Sequence, residues 1–125
     1  MRHLSRGVVG ALVVVALAST ACAGRERPSV VTQGNQELGR QVISRYGCGT
    51  CHTIPGVKGA QALVGPPLTQ FGRRSYIAGQ LANNETNLAR WISDPQSVEP
   101  GTAMPNLNVS PQDAQNMAAY LTSLR

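Results

Sequence analysis

The stretch Cys48-Gly49-Thr50-Cys51-His52 decides the fold of this chain. Its C-x-x-C-H spacing is the attachment signature of haem c. Two thiols separated by two residues can reach the two vinyl groups on one side of a porphyrin, and the following His can turn beneath the iron as an axial ligand. Gly49 lets the backbone fold tightly under the ring. We therefore predict one haem attached to Cys48 and Cys51, with His52 bound to the iron.

Three other interpretations of the two cysteines fit the remaining sequence less well. A thioredoxin-like redox pair needs a strand–helix–strand context, and no alternating strand pattern of useful length is present in the sequence. Half of a zinc site would need a second Cys/His pair, which the sequence lacks. A plain disulfide would leave the adjacent His52 unexplained.

A haem iron also needs a sixth ligand or an open position. His3 lies in the N-terminal segment, and Met117 belongs to residues 112–124, where helical spacing of apolar residues predicts a core position. Met104 lies in residues 100–106, a loop rich in Pro and Gly that cannot form a regular helix. We predict Met104 as the second axial ligand. His/Met ligation fills both axial positions, which indicates electron transfer rather than catalysis on a substrate.

Residues 1–23 are predicted to form a signal peptide. Two arginines precede an apolar run of about ten residues, which is too short to span a bilayer comfortably, and small residues follow. Cleavage after Ala23 would remove Cys22, whereas lipoprotein-type cleavage before Cys22 would leave lipid on its thiol. If both other cysteines hold haem, Cys22 has no disulfide partner, which favours lipidation and anchoring at a membrane surface.

Residues 24–35 are polar, lack apolar periodicity and are predicted to form a linker to a domain over residues 36–125. Lys and Arg total 11 against 6 Asp and Glu, a net charge of +5. Loss of the two leader arginines would lower that charge to about +3. No basic run with interleaved aromatic residues is present, so nucleic acid is not an expected partner.

Three helices are predicted, over residues 36–46, 85–93 and 112–124. Asn83 or Asn84 would cap the second, and Ser110 followed by Pro111 would begin the third. The predicted class is all-α, with long loops that would wrap a cofactor.

The chain resembles class I cytochromes c over residues 34–125. A small residue in a helix before C-x-x-C-H, a later Gly-Pro-x-Leu, a distal Met-Pro and a final amphipathic helix ending Tyr-Leu carry the resemblance. The subgroup it most resembles is the cytochrome c domain of subunit II of caa-type haem–copper oxidases. The similar segments are Gly65-Pro66-Pro67-Leu68-Thr69, Ile77-Ala78-Gly79, residues 87–96 and Pro100-Gly101-Thr102-Ala103-Met104-Pro105. The resemblance implies a class I fold of three to four helices around one covalent haem.

The resemblance also implies roles for further residues. The Pro66 carbonyl would accept a hydrogen bond from His52, and Trp91 would pack on the haem. Gly39 and Tyr120 match a close crossing of the first and last helices. Other cofactor contacts would come from Leu68 and Pro105. Arg74, with its neighbour Arg73, could neutralise the haem propionates or face a partner, and a solvated surface pair is the alternative.

The chain departs from that subgroup in several ways. Pro67 replaces a usually acidic residue and Glu99 a usual Lys, which alters the charge of the docking face. A copper-binding domain and a two-helix membrane hairpin are absent from the sequence given, so we expect a haem domain behind its own leader.

The expected function is that of an exported one-electron carrier, not an enzyme. It would accept an electron from a quinol-oxidising complex or a dehydrogenase and deliver it to a terminal oxidase. Its expected location is periplasmic, or membrane-anchored facing outside the cytoplasm. Two alternatives remain open: a permanent haem subunit of an oxidase or periplasmic dehydrogenase complex, and a haem-based sensor with an open sixth position.

Overall fold

A computed structural model describes residues 34–125, and the predictions for His3, Cys22 and the signal peptide lie outside this range. The elements, in chain order, are α1 (Gln36–Arg45), a 3₁₀ turn (Cys48–Thr50), a second 3₁₀ turn (Phe71–Arg73), β1 (Tyr76–Ile77), β2 (Leu81–Ala82), α2 (Glu85–Ser93), α3 (Pro95–Val98) and α4 (Pro111–Ser123). The predicted all-α class is confirmed. In this described part, each helix is too short or too polar to cross a membrane.

Helix α1 has a well-defined start and stop. The side-chain oxygen of Asn35 accepts a hydrogen bond from the Leu38 N–H at 2.9 Å, which satisfies one of the free donors of the first turn. The Asn35 N–H donates to the Asn116 side chain at 2.9 Å, so the end of the predicted linker is tied to α4. The helix ends one residue before the predicted Tyr46, because Gly47 turns to a left-handed φ of 70°.

Helix α2 has the predicted bounds, and Asn84 rather than Asn83 caps it, through the Asn87 N–H at 2.9 Å. Asp94 ends α2 and then caps the unpredicted α3, accepting from the Ser97 N–H at 3.3 Å. A helix of four residues is too short to show apolar periodicity, so it could not be predicted from the sequence. Pro95 at its first position is fully buried and fixes α3 to the core.

Helix α4 begins and ends one residue earlier than predicted. Ser110 caps it as expected, because its hydroxyl accepts from the Asp113 N–H at 3.2 Å. The Asp113 carboxylate accepts a hydrogen bond from the Tyr46 hydroxyl at 3.0 Å. This bond joins the start of α4 to the end of α1, next to the cysteine motif.

The core lies where α4 packs against both α1 and α2. Gly39 is buried at the α1–α4 crossing, where a β-carbon would overlap the Asn116 carbonyl and lie 2.9 Å from Tyr120 Cβ. The close crossing that the resemblance implied is therefore present. The buried apolar core residues are Val42, Ile43, Ile54, Val57, Ala60, Phe71, Ile77, Leu88, Ile92, Val109, Ala114, Met117, Ala118 and Leu121.

A two-stranded antiparallel hairpin was not predicted. Tyr76 pairs with Ala82 and Ile77 with Leu81. Strands of two residues are too short to show alternation, so the absence of a strand pattern in the sequence did not exclude them. The hairpin inserts Ile77, which is 2% exposed, into the core.

Candidate functional site

The cysteine motif forms a tight turn directly after α1. The N–H groups of Cys51 and His52 both donate to the Cys48 carbonyl, at 3.2 and 3.1 Å. Both cysteines are free thiols and half-buried. Burial raises the pKa of the Cys48 thiol. Gly49 allows this turn to lie against the next loop, because a β-carbon there would be 2.7 Å from Ala60 Cβ.

His52 is held in one orientation by the loop that follows. Its Nδ1 lies 2.8 Å from the Pro66 carbonyl oxygen, the hydrogen bond that the resemblance implied. A carbonyl can only accept, so Nδ1 carries the proton and Nε2 keeps a free lone pair. Such a bond fixes the tautomer and raises the basicity of a metal-binding imidazole. The geometry therefore suits Nε2 to bind a metal ion.

The segment around Gly65 lies directly against the imidazole. The Gly65 N–H donates to the Cys51 carbonyl at 2.7 Å, and the Leu68 N–H to the Thr53 carbonyl at 2.8 Å. A β-carbon on Gly65 would overlap His52 Cε1 and lie 2.8 Å from Nδ1. Only glycine lets the backbone approach the ring closely enough for the Pro66 carbonyl to reach it.

Two adjoining cavities meet at the motif. They measure about 570 and 910 Å³, with open solvent at their mouths included. The side chains that line both are His52, Leu68, Phe71, Trp91 and Met104. Cys48 lines the first cavity and Cys51 the second. We call the two cavities together the central cleft.

The two methionines of the described residues occupy different positions. Met104 is half-buried in the loop between α3 and α4 and lines both cavities. Met117 is 1% exposed and packs in the core on α4, as predicted, although it also lines the first cavity. Met104 is thus brought into the same cleft as His52, on a segment remote from it in sequence.

The other predicted contact residues also line the cleft. Leu68 and Trp91 line both cavities, and Pro66 and Pro105 line the second. Arg74 lies at the edge of the second cavity, with its guanidinium 5.0 Å from the Phe71 ring centre and hydrogen-bonded to the Pro67 carbonyl.

Two large apolar side chains of the cleft were missed by the sequence analysis. Phe71 is 5% exposed and lines both cavities, and Leu107 lines the first. Both lie outside any periodic segment, so only the folded chain brings them to the site. Glu99 also lines the second cavity.

The residues present fit a covalently held haem. The cleft is large and mostly apolar, two free thiols reach it, and an oriented imidazole has its metal-binding nitrogen available. Gly65 provides the close backbone approach that this imidazole requires. A thioether from Met104 enters the same space and can serve as a soft ligand.

The comparisons with known proteins agree on one family. The cytochrome c family model matches residues 36–125. Cytochrome c oxidase subunit 2 of Alkalihalophilus pseudofirmus is 44% identical over 95 residues, which are 75% of this chain and 26% of that protein. Cytochrome c oxidase subunit 2 of Bacillus sp. strain PS3 is 34% identical over 100 residues, covering 77% of this chain and 28% of that protein.

The protein of the same description from Bacillus subtilis is 32% identical over 84 residues, which are 66% of this chain and 24% of that protein. The chain therefore spans about a quarter of the length of the curated relatives it matches.

Proposed function

The chain belongs to the cytochrome c family, and from this premise we propose that it is an exported mono-haem carrier that donates electrons to a terminal haem–copper oxidase. Covalent haem c and electron transfer follow from the family itself. The oxidase as acceptor is supported by the relatives, each described as subunit 2 of cytochrome c oxidase. The donor would be a quinol-oxidising complex or a dehydrogenase.

One arrangement carries the proposal: the oriented imidazole of His52 and the thioether of Met104 enter the same apolar cleft, beside Cys48 and Cys51. The two thiols would anchor the cofactor by thioether bonds, and His52 and Met104 would bind the iron. When bound, the haem supplies an iron that gains or loses one electron. Two protein ligands leave no coordination position for a substrate.

The surrounding residues set the properties of this centre. Pro66 keeps the His52 proton on Nδ1 and strengthens the imidazole as a ligand. The buried Phe71 and the half-buried Leu68 and Trp91 give the cleft apolar walls. Low polarity and a thioether ligand both raise the reduction potential of a haem, which suits donation to an oxidase.

Expression with haem-maturation machinery tests the proposal. We expect haem to remain on the denatured polypeptide, and the reduced protein to sustain oxygen uptake by membranes that contain a haem–copper oxidase. The matched control is the Cys48→Ser, Cys51→Ser double variant, which should lose covalent haem. Haem that extracts freely from the wild-type chain, or an oxidase that does not oxidise it, would contradict the proposal.

A permanent haem subunit of an oxidase complex is the second candidate, because the relatives are themselves oxidase subunits. The two roles differ in how long the contact lasts. A carrier forms a small transient interface that salt disrupts, whereas a subunit co-purifies without cross-linking. Co-purification of this chain with an oxidase through a high-salt wash would favour the subunit role.

We also propose that Cys22 anchors the protein to a membrane surface through lipid. Two or more acyl chains hold a protein stably, whereas one does not. The intact mass of the chain from the membrane fraction should equal the sum of the polypeptide 22–125, one haem and the acyl groups on an N-terminal Cys22. A mature chain that begins at Gly24 without acyl mass would remove the anchor and leave a periplasmic carrier.

A further inference from the structure

The side chain of Gln96 joins α3 to the loop that carries Met104. Its Oε1 accepts a hydrogen bond from the Gly101 N–H at 3.0 Å. Its Nε2 donates to the Thr102 carbonyl at 2.9 Å and to the Met104 carbonyl at 3.3 Å. One amide group therefore contacts three residues of the loop, Gly101, Thr102 and Met104.

Only a carboxamide can make this set of contacts. The Gly101 N–H needs an acceptor, and the two carbonyl oxygens each need a donor. Reversal of the amide would place its oxygen against two carbonyls, so the chemistry fixes its orientation. A carboxylate at position 96 would keep the bond to Gly101 but repel both carbonyl oxygens.

The anchored end of this contact is rigid. Pro95 is fully buried, and Asp94 caps α3 through the Ser97 N–H. Asp94 Oδ1 also lies 3.5 Å from Asn106 Nδ2, a weak contact beyond Met104. Helix α3 and its capping residue Asp94 thus hold the loop that carries Met104 from one side.

Among the described residues, few other hydrogen bonds hold the backbone of residues 99–104. The Thr102 N–H donates to the Glu99 carbonyl at 3.1 Å, and the Met104 N–H reaches the Thr102 hydroxyl only at 3.5 Å. Pro105 donates no N–H and restricts Met104 to extended conformations. The hydrogen bond from Gln96 to the Met104 carbonyl then further limits rotation of the Met104 backbone.

We propose that Gln96 is a positioning residue that keeps the Met104 thioether on the haem iron. The inference rests on the proposed function, since it assumes that Met104 is the axial ligand. Gln96 itself is exposed and does not line the cleft. It acts through the backbone of residues 101–104, so its loss would leave the ligand in place but more easily displaced.

Cyanide binding by the oxidised, haem-loaded full chain measures this displacement, because cyanide can reach the iron only when the thioether leaves. We expect Gln96→Ala to raise the cyanide association rate by about tenfold and to weaken the far-red sulfur-to-iron absorption band. Gln96→Glu should show the same increase, since it loses both donors. Gln36→Ala, an exposed glutamine at the start of α1, is the matched control and should stay at the wild-type rate.

The cyanide rates and the far-red band together support or overturn the positioning role of Gln96. Wild-type cyanide rates in both Gln96 variants, with the far-red band intact, would overturn the inference while leaving Met104 as ligand. A wild-type rate in Gln96→Glu together with a raised rate in Gln96→Ala would support positioning through the bond to Gly101 and overturn a contribution from the two donated bonds. Absence of the far-red band from the wild-type protein would overturn the Met104 ligand, and the role of Gln96 with it. Thermal unfolding of each variant tests for a general loss of structure. Such a loss would lower the midpoint temperature of unfolding without selectively raising the rate of ligand exchange.

Discussion

Replacement of Met104 by Ala should produce a haem protein that has lost the far-red band of its oxidised form and has a reduction potential lower by on the order of 100 mV or more. The thioether is a soft, neutral donor that favours reduced iron. Alanine cannot bind, so water or hydroxide would take the position, and these harder oxygen ligands favour oxidised iron. The reduced variant should also bind carbon monoxide rapidly, whereas the wild-type protein should bind it slowly.

Met117→Leu is the matched control for this experiment. Met117 is the other methionine of the described residues and also lines the cleft, but from the core of α4. Leucine conserves its volume, so the substitution should cost less than about 1.5 kcal/mol and leave the potential unchanged. A Met104→Ala protein with the wild-type spectrum and potential would disprove the ligand assignment. Rapid carbon monoxide binding by the wild-type protein would favour the sensor alternative instead.

The parts of the fold that could be predicted are those whose signals are local. Asn84 and Ser110 cap helices through contacts three residues away, and Asp94-Pro95 ends α2 by backbone sterics. The motif at Cys48 requires a fixed spacing of thiols and imidazole, so it can be identified without a structure. Features of this kind depend only on a few neighbouring residues, so a short stretch of sequence is enough to predict them.

The parts that could not be predicted depend on contacts between distant segments. Phe71 lines the cleft because its 3₁₀ turn packs against the end of α4, where the Gly72 N–H donates to the Leu124 carbonyl at 2.8 Å. Gln96 looks like any polar residue after a helix until Gly101 and Met104 fold back over it. Neither position shows periodicity, and each depends on the whole fold.

Gly39→Ala should lower the free energy of unfolding of the haem-loaded protein by about 2 kcal/mol or more, through overpacking at the α1–α4 crossing. The added β-carbon would overlap the Asn116 carbonyl and lie 2.9 Å from Tyr120 Cβ. The Asn116 carbonyl belongs to the backbone of α4, which is also packed against α2, so it cannot simply move aside. Guanidinium unfolding followed by far-ultraviolet circular dichroism measures the change, and Ser44→Ala, at an exposed position of the same helix, should stay within about 0.5 kcal/mol of wild type.

The direction of the Gly39→Ala effect discriminates between two opposing terms. Inside a helix, alanine is favoured over glycine by about 1 kcal/mol, so a crossing with spare room would make the variant more stable. A loss of stability requires that the clash exceed this gain, as the contact with Asn116 predicts. A shift of the crossing would also move Tyr120, whose hydroxyl donates to the Pro55 carbonyl at 2.5 Å, three residues after His52. The variant should therefore loosen the loop beside His52 as well, whereas a stabilised Gly39→Ala protein would show that the two helices are not in close contact there.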